Sequence, residues 1–489
     1  MNGRFPFGPW LLVLLTTIAG CAGLPKATPR AASLRSTGIA LSESQSALPH
    51  MQWPSGSWWN QFGDPQLDEL LRRAIADNPH IATAEARIAV AKGYAQVARS
   101  AQLPTVDAAA ELDSTRFTRN SDFPEQINGH DLFGGPVWNN SLGVSVAYHV
   151  DFWGRDRAVL AAALDEVRVA EYEAQDARLA IEGALVRTYA RLDYIYRLQD
   201  NERSILADEG QVADLAERRL KAGLGTEFET AQARTAVAAT EADLVQTADR
   251  IELLKHQIAA LCGESPGSAD RIERPALQAV NAVASLPTSI SAELIGRRPD
   301  VLAERARVEA TRQGIAAARA DFYPNVDLKA LAGFSAFGFD QFLGLKSLNT
   351  SVGPAVTLPL FEGGRLRGAL HVRESQYDIA VDAYNAAILE SLHEIADQVS
   401  RLQSLQELQV KREETLRLAT RAHELARIAF RAGLTDYVNV LSTESQLNGA
   451  RNAVAQVTFQ QVDAIASLDQ ALGGGLSMTD TQHDLRMSP

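Results

Sequence analysis

Four stretches of the chain alternate between apolar and small or polar residues. Val106, Ala108, Ala110 and Leu112 alternate with Asp107, Ala109 and Glu111. Leu142, Val144, Val146, Tyr148 and Val150 alternate with Ser141, Gly143, Ser145, Ala147 and His149. Val326, Leu328, Ala330, Ala332 and Phe334 alternate with Asn325, Asp327, Lys329 and Gly333. Val352, Pro354, Val356, Leu358 and Leu360 alternate with Ser351, Gly353, Ala355 and Thr357. A period of two predicts strands, here two pairs of them.

Between and after the pairs the period changes. No proline falls between Pro136 and Pro266, or between Pro359 and Pro489. Ile388, Leu392, Ile395, Val399 and Leu402 step by four and three in turn, which is a coiled-coil seam. Leu185, Thr188, Leu192 and Ile195 repeat that step, with alanine at neighbouring positions allowing close helix approach. The stretch from Gly154 to Lys221 predicts a helix about 100 Å long at the usual rise per residue. A globular domain has no need of one.

The two halves are copies. "NPHIATAEAR" from Asn78 and "RPDVLAERAR" from Arg298 begin matching Ala-rich helices, and Pro79 and Pro299 stand 220 positions apart, as do Pro104 and Pro324. Farther on the offset is 210, for Gly143 and Gly353, Arg155 and Arg365, Gly223 and Gly433, and Gly263 and Gly473. The slip falls in the polar stretch "STRFTRNSDFPEQINGHDLFGG", an expected exposed loop. The boundaries read as a signal at 1–20, an N-terminal anchored segment at 21–63 and a first repeat at 64–263. A linker at 264–288, a second repeat at 289–473 and a tail at 474–489 complete the chain. Ala222-Gly223-Leu224 and Ala432-Gly433-Leu434 repeat inside the long helical stretches. There each glycine is expected in the left-handed position that ends one helix, with Thr226 or Asp436 capping the next.

Composition narrows the class. The chain is 46% hydrophobic and 22% charged, an ordinary globular balance, and its net charge of −13 argues against nucleic acid as a partner. Cys21 and Cys262 are the two cysteines, so neither a disulfide framework nor a cysteine metal cluster is available. The nine histidines show no HExxH or comparable spacing, so no metal or other cofactor is expected. Cys262, beside Gly263 at a helix end, reads as a packing residue. Arg4 followed by the short apolar run Trp10–Ile18 reads as a secretory signal. Its end, Ile18-Ala19-Gly20-Cys21, resembles a bacterial lipobox, which implies cleavage before Cys21 and lipid attachment to it. No later run is apolar enough for a transmembrane helix.

Short amphipathic strands, apolar on one face and small or polar on the other, fit a barrel with lipid outside and water inside. Four strands cannot close one. Two chains would give a filled eight-stranded barrel and three a twelve-stranded barrel with a lumen, so oligomerisation is expected. Phe152, Trp153, Phe322, Tyr323 and Phe361 stand at the strand–helix junctions, as an aromatic girdle or as packing at a domain corner.

Three segments resemble the TolC-like outer-membrane efflux proteins, in their lipoprotein (NodT-type) branch. They are "WWNQFGDP" from Trp58 with Leu67 and Leu70, "GRRPDVLAERARVEA" from Gly296, and "PLFEGGRLRG" from Pro359. The resemblance covers essentially the whole mature chain. It implies a mostly α fold with a membrane β part: a homotrimer whose long hairpins form a periplasmic α-barrel continuous with a twelve-stranded β-barrel, four strands per chain. It implies an exit duct for small molecules such as drugs, in the outer membrane, working with a periplasmic adaptor and an inner-membrane pump of RND type. It places the adaptor contact at Ala222, Gly223, Leu224, Ala432, Gly433 and Leu434, and the periplasmic gate near Arg427, Arg431, Asp436, Tyr437, Asn439, Ser442 and Glu444. Relatives often carry aspartates where Asn439 and Ser442 stand, so a cation-binding ring is not expected at those two positions. Asp436 and Glu444 could replace it only from inward faces. Solvated helix residues, cations near a helix end and, for Tyr437, helix packing are the plainer readings.

Rival functions find less support. No nucleophile elbow or Ser-His-Asp constellation is visible, so no enzyme is expected. A lipid-anchored adaptor or coiled-coil scaffold would normally show one hairpin among many soluble β segments. A protein-secretion duct shares the architecture and stays open as the alternative cargo.

Overall fold

The computed structural model describes Ala31 and residues 56–120, 124–127, 130–278 and 297–475. Cys21, the signal and most of the tail lie outside the described residues. The chain divides into two compact units. Among the described residues, one holds Ala31, 89–120, 124–127, 130–168 and 305–382, and the other 56–88, 169–278, 297–304 and 383–475. Each unit therefore takes corresponding pieces of both sequence copies, so the repeat is a unit of sequence rather than of compactness.

The first unit is built on one antiparallel sheet. Its strands are β1 (Thr105–Thr115), β4 (Val137–His149), β5 (Asn325–Phe337) and β6 (Leu348–Thr357), in the order β1-β4-β5-β6. Within the long loop between β1 and β4, β2 (Gln126–Ile127) and β3 (His130–Asp131) form a two-residue ladder. The expected insertion thus lies between strands, at a loop. Pro104 and Pro324 precede β1 and β5, where a missing amide proton ends a helix and breaks no ladder.

Seven α-helices are described. Short α1 (Pro65–Asp77) precedes α2 (Pro79–Ser100). The first pair of strands is followed by α3 (Arg155–Lys221) and α4 (Glu227–Leu261). The second copy repeats the order with α5 (Pro299–Ala320), α6 (Arg365–Arg431) and α7 (Tyr437–Ala471). Helices α3 and α6 each have 67 residues, and α4 and α7 each have 35. No described helix is long and apolar enough to cross a membrane.

The core of the second unit lies where α1 meets both copies. Leu67, Leu70 and Leu71 of α1 pack with Leu185, Tyr189 and Leu192 of α3, Ile258 of α4, Ile395 and Leu402 of α6, and Leu468 of α7. The predicted seams are the buried ones: Ile388, Leu392, Ile395, Val399 and Leu402 all lie inside, as do Leu185, Thr188, Leu192 and Ile195. The "WWNQFGDP" segment clamps this core. Trp58 and Trp59 are buried in a 3-10 turn, and Phe62 is fully enclosed. Asp64 caps α1 through Oδ1, which accepts from the Gln66 amide. Its Oδ2 accepts from the Tyr189 hydroxyl and from the Ala276 amide, both at 2.7 Å. One carboxylate thus ties α1, α3 and the inter-repeat segment together. The described part of that segment is accordingly docked: Glu273 N donates to Gln66 Oε1 at 2.8 Å and Gln278 N to the Phe62 carbonyl at 3.0 Å. Cys262 is buried, its thiol 3.5 Å from the Leu70 carbonyl, and burial pushes that thiol up to about 11.

Candidate functional site: a two-faced sheet and two helix turns

Register turns the alternating patterns into faces. Val106, Val146, Ala330 and Val352 lie in one cross-strand row, and Ala110, Leu142, Phe334 and Leu348 in another. Asp107, Ser145, Leu331 and Ser351 form a row between them, and Thr105, Ala147, Lys329 and Gly353 the next. One face is apolar on all four strands and the other mostly small or polar, because side chains alternate along a strand. Much of the apolar face is uncovered: Val352 is 87% exposed, Val106 66% and Val356 65%. Contiguous exposed apolar surface marks a membrane or partner surface. The edge strands β1 and β6 each pair on one side only.

The junction aromatics do not behave alike. Trp153 stacks on Tyr323 with ring centroids 4.5 Å apart, and its Nε1 donates to the Pro324 carbonyl at 2.9 Å. Phe152 and Phe361 stand exposed. Phe322 instead packs against Ile315, Ala318 and Leu370. At the opposite ends of the strands are aromatics that the alternation did not single out. Trp138 lies 5.5 Å from Phe339 and Phe117 5.9 Å from Phe337. Aromatic bands at both ends of an apolar strand belt are what a membrane barrel presents at its two interfaces.

The turns are a matched pair. Gly223 and Gly433 have φ of 70° and 74°. Leu224 N donates back to the Arg219 carbonyl at 2.8 Å and Leu434 N to the Ala429 carbonyl at 2.9 Å, closing a six-residue Schellman bond in each copy. Thr226 then caps α4 with a reciprocal bond from Glu229, and Asp436 caps α7 by accepting from Asn439 N. Both expected caps are present. Ala222 and Ala432 are exposed, and Leu224 and Leu434 are 72% and 81% exposed, so each turn offers a projecting leucine.

The gate candidates separate into two groups. Arg431, Asp436, Asn439 and Ser442 are exposed, with Asn439 Nδ2 donating to Asp436 Oδ1 at 2.8 Å. Tyr437 is buried with Ala216, Ala233 and Val440, its ring 5.8 Å from that of Phe430. Burial raises its hydroxyl far above the ordinary phenol range. Arg427 Nη1 lies 3.3 Å from Asp208 Oδ1. Glu444 is buried, and burial together with the nearby Glu209 and Asp208 carboxylates pushes it up to about 7. Asp208, His423 and Glu444 lie together although 215 and 21 positions separate them in the chain, so spacing in the sequence carried no signal for the group.

Two stretches, residues 70–264 and 290–474, match the family model of outer membrane efflux proteins. The chain belongs to that family. This outer-membrane efflux channel is 36% identical over 366 residues to the fusaric acid resistance protein FusA of Burkholderia cepacia, covering 74% of this chain and 68% of that one. It is 27% identical over 470 residues to the multidrug resistance outer membrane protein MdtP of Escherichia coli, covering 94% of each. Its structure matches the outer membrane protein VceC of Vibrio cholerae with a TM-score of 0.79 and 34% identity, over 87% of this chain and all of that one. The family is one of channel proteins, which agrees with an efflux channel whose sheet carries a bare apolar face.

Proposed function

We propose that this efflux channel is the exit duct of a tripartite system, a homotrimer that passively conducts small molecules, drugs among them, and has no enzymatic activity. The observation that carries the reading is the four-stranded sheet with an uncovered apolar face and two half-paired edges. Edge-to-edge pairing of three such sheets satisfies the unpaired backbone groups and gives twelve strands, enough to leave a lumen. Helices of 67 residues, returned by turns of one repeated design, then supply the periplasmic α-barrel.

The projecting Leu224 and Leu434 turns are the surface we assign to a periplasmic adaptor, which links the duct to an inner-membrane pump of RND type. Cys21 carries the lipid that holds the N-terminus at the outer membrane. The domain boundaries read from the sequence, 64–263 and 289–473, serve as the two copies. Small molecules are favoured over protein cargo because the relatives are a fusaric acid resistance protein and a multidrug resistance protein.

Single-channel recording of the purified mature protein in planar bilayers, with its mass measured in detergent, tests the reading. A trimer with discrete conductance supports it, and substitutions from Asp436 to Ser442 that raise the conductance place the gate at the second turn. A monomer without conductance overturns it and restores the lipid-anchored adaptor or scaffold.

A further inference from the structure

Two titratable groups near the second turn are buried: His423 and the gate candidate Glu444. Glu444 is 5% exposed and His423 6% exposed. Among the described residues Glu444 accepts no hydrogen bond and joins no ion pair. Arg427 and Arg451 are the opposite charges near it, and buried carboxylates ordinarily have hydrogen-bond donors as well.

What surrounds it is a set of donors. One ligand atom each from Asp208, His423 and Glu444 lie within 4.8 Å of one another. They come from three helices, α3, α6 and α7. The His423 ring is positioned by α7: Nδ1 lies 3.4 Å from the Thr443 hydroxyl, and the ring also hydrogen-bonds the Val440 backbone. Anchoring one ring nitrogen by a hydrogen bond is how metal-bound histidines are usually oriented.

The geometry points to a divalent transition-metal site of one imidazole and two carboxylates, formed by Asp208, His423 and Glu444, of the kind that takes zinc. Three protein ligands leave a fourth position for water. The charges are compatible with a cation. Asp208, Glu209 and Glu444, when ionised, carry three negative charges against the two positive charges of Arg427 and Arg451, leaving one net negative charge. Arg427 also donates to Asp208 Oδ1 at 3.3 Å, a contact an ion would have to share or displace. An ion there ties both helices flanking the second turn to α3.

The test uses the full mature chain in detergent. Zinc binding is measured by equilibrium dialysis and elemental analysis for the natural protein, E444Q and H423Q, each checked for helix content by circular dichroism. We expect one zinc per chain in the natural protein and affinity about tenfold lower or worse in both variants. Unchanged affinity in both variants, or no zinc retained by the natural protein, overturns the site. Cobalt on the natural protein reads independently of any variant. Intense visible bands, abolished by added zinc, support a four-coordinate protein site. Only the weak bands of the hydrated ion overturn it. Neither readout depends on conductance, so failure here and failure of the duct reading are separable.

Discussion

Arg298 donates from Nη1 to the carbonyl oxygen of Ala471 at 3.0 Å, just where α7 ends. The first copy makes the same join: Asn78 Nδ2 donates to the Leu261 carbonyl at the end of α4, at 2.8 Å. In both copies the residue before the proline that opens the Ala-rich helix, α2 or α5, thus closes the last turn of the returning helix. The difference is charge. Arg298 also reaches Asp300 Oδ2 at 2.7 Å and Glu394 Oε2 at 2.6 Å, whereas Asn78 is neutral.

This asymmetry predicts unequal costs of truncation. Arg298→Ala removes a largely buried guanidinium and leaves a helix-end carbonyl and two carboxylates without it. The expected loss is about 2–4 kcal/mol, at the lower end because Glu394 is half exposed. Asn78→Ala should lose about 1–2 kcal/mol. Thermal unfolding of the purified channel, followed by circular dichroism, checks the order. Equal midpoints for the two variants would refute it.

Two glycines of the sheet should respond differently to a side chain. A Cβ on Gly333 would sit 2.5 Å from the Leu142 carbonyl on the neighbouring strand, whereas one on Gly353 meets nothing within 4 Å. Gly333→Val should sharply reduce the amount of assembled channel in the outer membrane, because backbone must move. Gly353→Val should leave it near normal. Overpacking of this sort costs about 1–3 kcal/mol. Quantifying assembled protein in membrane fractions distinguishes them.

At the turns, stability and partnership should separate. Gly433→Ala places a Cβ in the left-handed region at φ 74° and should destabilise by about 1 kcal/mol, with no steric obstacle nearby. Leu224→Asp and Leu434→Asp touch exposed side chains and should leave unfolding unchanged. If these leucines meet the adaptor, the double variant loses drug export in cells at normal membrane abundance. Retained export would remove the turns from the contact surface.

Asp469 should make stability fall as pH rises from about 4 towards 7. It is 9% exposed, accepts one hydrogen bond, from Gln61 Nε2 at 2.6 Å, and is pushed up from 3.8 to about 7 by burial. A carboxyl with a raised folded-state pKa binds protons more tightly when folded. Its contribution is therefore favourable below the unfolded value and is lost as pH climbs through the folded one. Asp469→Asn keeps an acceptor for Gln61 without the charge, so the unfolding midpoint should vary less between about pH 4 and 7 than in the natural protein. An unaltered pH profile would show that Asp469 is not the group responsible.

What the sequence determined by itself was whatever local stereochemistry or strict repetition encodes. Period-two alternation marked the four strands because a strand's faces alternate residue by residue. The Ile388–Leu402 seam marked a buried helix face because helical geometry returns every three to four residues to one side. Gly223 and Gly433 were identifiable because a left-handed turn favours glycine, and Thr226 and Asp436 because a helix start needs an acceptor. Duplication made each of these visible twice.

Tertiary structure alone decided what depends on groups distant in the chain. Cross-strand register, which no single strand contains, aligned Val106, Val146, Ala330 and Val352 into one face. The folded chain joined Asp64 to Tyr189 and Ala276, separated the buried Tyr437 and Glu444 from the exposed Asn439 and Ser442, and placed Asp208 beside His423 and Glu444. Helix rotation and the packing of one seam against another set those neighbours, and the spacing of residues along one chain records neither.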